Sequence, residues 1–130
     1  MPPLKVFLVE DSPILVRLIG ELLTAEPGIE VVGKADTTKG AIELIRDSKP
    51  DVVVLDLHLR EGTGLDVLRQ LRQVGPPPVA IVLTNHSAEP YRKAALAGGA
   101  NHFFDKSTEI PLMLKLVRTL RDQRKPGAAT

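Results

Sequence analysis

Four consecutive apolar residues, Val52-Val53-Val54-Leu55, run straight into Asp56 and Leu57 without alternating with polar positions. A strand with one wet face alternates. A strand that is apolar at every position is buried on both faces, the mark of a central strand in a parallel sheet. Similar runs occur at 6–9 and 79–83. Parallel strands need long crossover connections, which are right-handed and usually helical. The chain between these runs must therefore supply helices for both faces of a sheet.

It does so in strict alternation. A strand over 5–9 ends at Glu10-Asp11, and Ser12 then offers an N-cap oxygen with Pro13 at the first helical position. Ile14, Leu15, Leu18, Ile19, Leu22 and Leu23 recur at helical spacing until Pro27-Gly28. A second strand over 30–35 leads to the capping residues Asp36, Thr37 and Thr38. These open a helix bearing Ala41, Ile42, Leu44 and Ile45, which Pro50 breaks. The third strand, 52–57, is followed by a turn at 61–64 and a helix lined by Leu65, Leu68 and Leu71. After Gly75 and three prolines, a fourth strand over 79–83 ends at Thr84. A weakly amphipathic helix over 87–97 stops at Gly98-Gly99, and a short strand over 101–104 precedes Lys106. The last helix spans 108 to about 123 with Pro111 in its first turn, and 125–130 reads as a frayed tail. Five strands alternating with five helices predict one doubly wound α/β domain over 1–124.

Composition narrows the class of function. Formal net charge is +1, so no large basic field points to nucleic acid. No apolar run approaches the roughly 20 residues that cross a bilayer, and the first residues lack a signal-peptide pattern. Cysteine is absent, which excludes disulfides and thiolate metal sites. These features fit a cytoplasmic protein that binds no membrane.

The polar residues that interrupt the apolar strands all fall at carboxyl ends: Glu10 and Asp11 after the first, Asp56 in the third, Thr84 after the fourth, Lys106 after the fifth. In an open α/β sheet ligands bind at that end, in the crevice where strand order reverses. Three carboxylates converging there repel one another, and a divalent cation relieves the repulsion. An all-oxygen donor set favours Mg²⁺ or Mn²⁺ over Zn²⁺ and over a site built from His58 and His86. A cation, the Lys106 ammonium, the Thr84 hydroxyl and a nucleophilic carboxylate together suit a phosphoryl group.

The segments VFLVEDSPILVRLI, DVVVLDLHL with Gly64, VAIVLTN and AGGANHFFDKS, in that order on a five-fold β/α repeat, resemble the receiver domain of two-component response regulators. The resemblance covers about 5–121. It implies the flavodoxin-like (βα)5 fold with strand order 2-1-3-4-5. It implies that Asp56 is the phosphoacceptor, and that Glu10, Asp11, Asp56 and the His58 backbone carbonyl hold Mg²⁺ or Mn²⁺. Lys106 would pair with a phosphoryl oxygen, Thr84 would bond the phosphoryl group and shift its loop, and Phe103 would be the switch aromatic that turns inward behind Thr84. It further implies a histidine kinase or phosphotransfer protein as donor, and slow Mg²⁺-dependent autophosphorylation and autodephosphorylation. The output would be a protein target on the face made by helix four, strand five and helix five. The expected function is a stand-alone signalling switch, not an enzyme, with a receiver cut from a LuxR-like DNA-binding regulator as the alternative.

Several positions depart from the commonest pattern of that family. Ser107 follows the lysine where Pro is frequent, which puts the usual cis peptide in question. Asn85 stands where Ala or Gly is common and narrows access to the phosphoryl group. Arg60 replaces a frequent Pro, and Phe103 lacks a phenolic hydroxyl. His58 and His86 each lie two residues past a site residue and read either as loop histidines or as modulators at the site mouth. Arg118, Arg121, Arg124 and Lys125 read as a solvated helix end that suits the negative end of the last helix. A haloacid-dehalogenase-type phosphatase would need a second Asp where His58 stands. A degenerate scaffold would not need all of Glu10, Asp11, Asp56, Thr84 and Lys106.

Overall fold

The parity of the apolar strand residues decides how the sheet is covered. In the computed structural model, which describes residues 2–124, the elements run β1 (Leu4–Val9), α1 (Pro13–Thr24), β2 (Ile29–Ala35), α2 (Thr38–Ser48), β3 (Val52–Leu55), α3 (Gly64–Leu71), β4 (Val79–Thr84), α4 (Glu89–Ala97), β5 (His102–Asp105) and α5 (Ile110–Gln123). All neighbouring strands are parallel, in the order β2-β1-β3-β4-β5. The expected tail at 125–130, with Lys125, lies outside the described residues.

Successive strand residues point to opposite faces. Phe7, Val9, Val53, Leu55, Ala80 and Val82 therefore join Ala41, Ile42 and Ile45 of α2, Val67, Leu68 and Leu71 of α3, and Ala95 of α4 in one buried cluster. Val6, Leu8, Val52, Val54, Ile81 and Leu83 join Ile19 and Leu23 of α1 and Met113 and Val117 of α5 in the other. The uninterrupted apolar runs are thus two half-cores read alternately. At the edge, Val6 pairs with Val31 but Phe7 with Gly33, so Val32 is an inserted residue. A Cβ on Gly33 would lie 2.7 Å from the Phe7 ring, so only glycine fits beside that ring.

Local chemistry sets the helix starts. Ser12 Oγ accepts from the Leu15 N–H, Thr37 Oγ1 from Gly40 and Thr63 Oγ1 from Asp66. Of the three capping residues before α2, only Thr37 caps. Asp36 pairs with Arg60, and the Thr38 hydroxyl donates to the Thr63 carbonyl. The fourth helix starts at Glu89 instead of 87, because Ser87 donates its hydroxyl to Asp105 and leaves Ala88 as a cap without a side-chain bond. The fifth begins at Ile110 instead of 108, since Pro111 fits only its first turn. The third strand ends at Leu55, two residues early, where the Asp56 carboxylate takes over the Leu57 N–H. The fifth strand begins at His102 because the Asn101 side chain, instead of a ladder partner, satisfies the Ala80 N–H.

The basic end of α5 is not a free solvated surface. Arg118 and Arg121 both approach Glu26, at 3.2 and 3.6 Å, and Arg121 donates to the Pro27 carbonyl. Arg124 donates to the Pro3 carbonyl and lies 3.3 Å from Asp51. These contacts clamp α5 across the amino-end pole of the sheet, where carbonyls and carboxylates collect. Core and surface positions differ sharply in cost. Ile45→Ala, at a fully buried position, should lose about 2–5 kcal/mol of unfolding free energy. Ile14→Ala, at a position 79% exposed, should change it by less than about 0.5 kcal/mol. Urea titration of the two variants checks this.

Candidate functional site

Among the described residues, the buried polar or charged ones are Glu10, Asp56, Thr84 and Lys106. Burying such groups in an apolar core is costly unless they pair, so their position is informative. All four sit at the carboxyl end of the sheet. Strand pairing continues past the apolar runs to place them: the Glu10 N–H donates to the Ala35 carbonyl, Asp56 to Val9, and Lys106 to Thr84. The two strands that carry the carboxylates, β1 and β3, are neighbours, and the chain leaves them to opposite faces.

Lys106 joins the group from the far edge of the sheet. Its Nζ donates to Asp56 Oδ2 at 2.6 Å and to Glu10 Oε1. Asp56 Oδ1 accepts from the Leu57 N–H at 2.6 Å and from that of His58 at 3.4 Å. Glu10 Oε2 accepts from the Ser12 N–H at 3.0 Å. Helix α3 begins hard against this loop: a Cβ on Gly64 would stand 2.2 Å from the Asp56 carbonyl oxygen, so the residue there has to be glycine. Exposed Asp11 completes the set. One carboxylate oxygen each from Glu10, Asp11 and Asp56 lie within 4.8 Å of one another.

Burial pushes the Glu10 carboxyl above its ordinary value, against the opposing pull of Lys106 and the Ser12 N–H. Burial alone would lower Lys106, but hydrogen bonds to Asp56 and Glu10 outweigh it, and its ammonium is held above the ordinary lysine value. With three carboxylates against one ammonium, the formal balance when all are ionised is 1 − 3 = −2. That excess and the all-oxygen donor set suit a hard divalent cation such as Mg²⁺.

Residues 6–118 match the family model of the response regulator receiver domain. The chain belongs to this family. The nitrate/nitrite response regulator NarP of Escherichia coli is 34% identical over 116 residues, 89% of this chain and 54% of that protein. A protein-glutamate methylesterase/protein-glutamine glutaminase of Vibrio vulnificus is 34% identical over 102 residues, 77% of this chain and 30% of that protein. The chain thus spans about half or less of these relatives. The signal receiver domain of the NarL response regulator from Mycobacterium tuberculosis superposes with a TM-score of 0.85 at 26% identity, over 95% of this chain and 100% of that one.

Several features separate this receiver from a generic one. Arg60 donates its backbone N–H to the Asp36 carbonyl, which a proline there could not do, and its guanidinium grips the Asp36 carboxylate through Nε at 3.0 Å. Thr38 N–H also donates to the Glu61 carbonyl, so the β2–α2 and β3–α3 loops are stapled together. The only cis peptide among the described residues is Gly75–Pro76, so the Lys106–Ser107 bond is trans. Ser107, freed from the proline ring, donates both N–H and hydroxyl to Asp105. Phe103 is already buried, its ring covered by the Arg92 guanidinium at 5.6 Å, while Phe104 packs on the opposite face. The His58 and His86 rings do not point apart as free loop residues. They stack with centroids 4.0 Å apart, and Tyr91 lies 5.3 Å beyond His86.

The sequence reading missed Ser87, Asp105 and Arg92. An Asp directly before the lysine was the available signal for the first two.

Glu10 titration has a defined sign. A carboxyl raised in the folded state stabilises the fold below its unfolded value, near 4.5, and that contribution is lost as pH rises through the folded value. Asp36 and Asp105 are lowered, chiefly by Arg60 and by Ser107, so their contributions are lost only as pH falls below about 3.8. With a chelator present, the unfolding free energy of Glu10→Gln should therefore decline less than wild type as pH rises above 4.5, measured by urea titration at a series of pH values. Parallel curves would contradict the assignment.

Proposed function

We propose that this receiver is a phosphorylation-operated switch in which Asp56 accepts a phosphoryl group from a histidine kinase or phosphotransfer protein. The observation that carries the reading is the buried Asp56 carboxylate, gripped by Lys106 and faced by Glu10 and Asp11. A carboxylate oxygen of Asp56 attacks phosphorus, a P–O bond forms, and the donor's phosphorus–nitrogen bond breaks as the histidine leaves with its electron pair. Lys106 neutralises negative charge on the transferring group, and the Thr84 hydroxyl donates to one of its oxygens. Glu10, Asp11, Asp56 and the His58 carbonyl would hold Mg²⁺ or Mn²⁺, which when bound neutralises phosphoryl charge and orients the group.

The aspartyl phosphate adds close to two negative charges. These draw Lys106 and the Thr84 loop toward Asp56 and shift a two-state equilibrium. Because Phe103 is already buried here, its part in the switch is a change of neighbours behind Thr84, including release from Arg92, instead of a move from solvent to core. Exposed Tyr91 and Leu96 on α4 and Leu112 on α5 support the α4–β5–α5 face as the surface read by a protein target. Exposed Ile14 and Leu18 on α1, beside the site, support contact with the donor protein. No described helix is long and apolar enough to cross a membrane, and we place the switch in the cytoplasm, acting through protein partners without touching nucleic acid itself.

A second reading, a receiver within a longer DNA-binding regulator, is favoured by relatives such as NarP and the DNA-binding transcriptional activator DevR/DosR of Mycobacterium tuberculosis. The position of the gene's stop codon separates the two. The chemistry itself is tested by intact-mass spectrometry after incubation with a small-molecule phosphodonor. Wild type should gain one phosphoryl group with Mg²⁺ and none with chelator, and Asp56→Asn should gain none. Full labelling of the Asn variant would refute the assignment.

A further inference from the structure

The β4–α4 loop, residues 85–88, is held from two opposite sides by consecutive side chains. His86 turns toward the β3–α3 loop, where its ring stacks on His58 at 4.0 Å with the planes 22° apart. Ser87 turns the other way and donates its hydroxyl to Asp105 Oδ2 at 2.7 Å. Asp105 is itself fixed. Its other carboxylate oxygen accepts from the Ser107 N–H and hydroxyl, its N–H donates to Glu109 Oε1, and its carbonyl accepts from the Glu109 N–H. The loop is thus strung between two rigid neighbours.

The cost of this arrangement is visible in α4. Its N-cap is Ala88, with no side-chain bond, because the nearby hydroxyl is committed to Asp105. Only Ala95 of this helix is fully buried. An element with so little burial has a low local stability, and tethers at its entrance weigh heavily on where it rests. The Thr84 hydroxyl oxygen also faces back into this loop, accepting from the His86 N–H at 3.1 Å.

We propose that the Ser87–Asp105 hydrogen bond is a tether that holds the β4–α4 loop in its unphosphorylated position, on the β5 side and away from Asp56, and so sets how readily the site takes a phosphoryl group. This rests on the phosphoacceptor reading, in which the Thr84 loop must move toward Asp56. Ser87 is then a positioning residue acting through Thr84. The Ser87–Asp105 contact must loosen before Thr84 arrives, so it lowers the fraction of the chain that is competent to bind the phosphoryl group, and apparent affinity falls by that fraction. The His58–His86 stack joins the loop to the Asp56 side and does not oppose that movement.

The test uses beryllofluoride with Mg²⁺ as the phosphoryl mimic, titrated by NMR into wild type, Ser87→Ala, Ser87→Thr, His86→Ala and the Ser87→Ala, His86→Ala double variant. Ser87→Ala should bind the mimic roughly threefold tighter than wild type. His86→Ala, which leaves the Ser87 tether in place, should bind no tighter than wild type, and the double variant no tighter than Ser87→Ala. Ser87→Thr, which keeps the hydroxyl, should match wild type. The affinity of Ser87→Ala for Mg²⁺ alone should be unchanged, because no carboxylate of the site is touched; a mere loosening of the whole site would lower it. Wild-type binding with no gain in Ser87→Ala would overturn the tether alone. If wild type itself fails to bind beryllofluoride, the phosphoacceptor reading and the tether fall together.

Discussion

Lys106 carries its ammonium into a nearly sealed pocket and divides it between Asp56 and Glu10. Each charge taken out of water there costs several kcal/mol, and only mutual pairing and the backbone N–H groups of Leu57 and Ser12 offset that cost. The lysine comes from the end of β5, one of the two edge strands, and reaches over β4 to the ends of β1 and β3. It therefore depends on the whole sheet being in register. One ammonium does not balance three carboxylates. The fold holds an unneutralised negative charge at a fixed place, which is the electrostatic condition for capturing a divalent cation.

The rest of the molecule serves to hold that pocket still on one side and leave it movable on the other. On the β1–β3 side, Arg60 and Thr38 staple adjacent loops together, and Gly64 lets α3 begin in contact with the Asp56 carbonyl. At the opposite pole, the arginines of α5 grip the α1–β2 turn and the start of β3. On the β4–β5 side, contacts are fewer and more polar: an uncapped α4, a stack of two imidazoles, a serine hydroxyl and an arginine over Phe103. Contacts of this kind can exchange at low cost, whereas the packed half-cores beneath them cannot.

The fold was legible because it is written in local signals. Apolar runs ended by a carboxylate, Ser12 with Pro13, and prolines that break helices are each readable within a few residues, and β1 to α5 follow from them. That Glu10, Asp56 and Lys106 would stand out was legible for the same reason: a charge inside or at the end of an apolar run is conspicuous, and the structure brings these residues together. The 2-1-3-4-5 order came from family resemblance, since nothing in the runs themselves says which strands are neighbours. Pairings between distant side chains were not legible. Ser87 reads as the first residue of the fourth helix, and only the proximity of Asp105, 18 residues on, diverts its side chain. Arg118 and Arg121 read as a solvated end because Glu26 lies far away in sequence. Phe103 and Phe104 are equivalent by pattern; the family resemblance singled out Phe103, and strand parity sets it on the α4 face with Ala95 while Phe104 packs on the other.

Lys106 is the counter-charge that makes the buried carboxylates tolerable. The most direct measurement is the unfolding free energy, near neutral pH with chelator, of Lys106→Met alone and combined with Glu10→Gln and Asp56→Asn. Removing the ammonium alone leaves uncompensated buried charge and should cost about 3–5 kcal/mol, most of it recovered when both carboxylates are neutralised. A Lys106→Met variant as stable as wild type, with nothing further gained in the combined variant, would mean that the carboxylates do not depend on the ammonium.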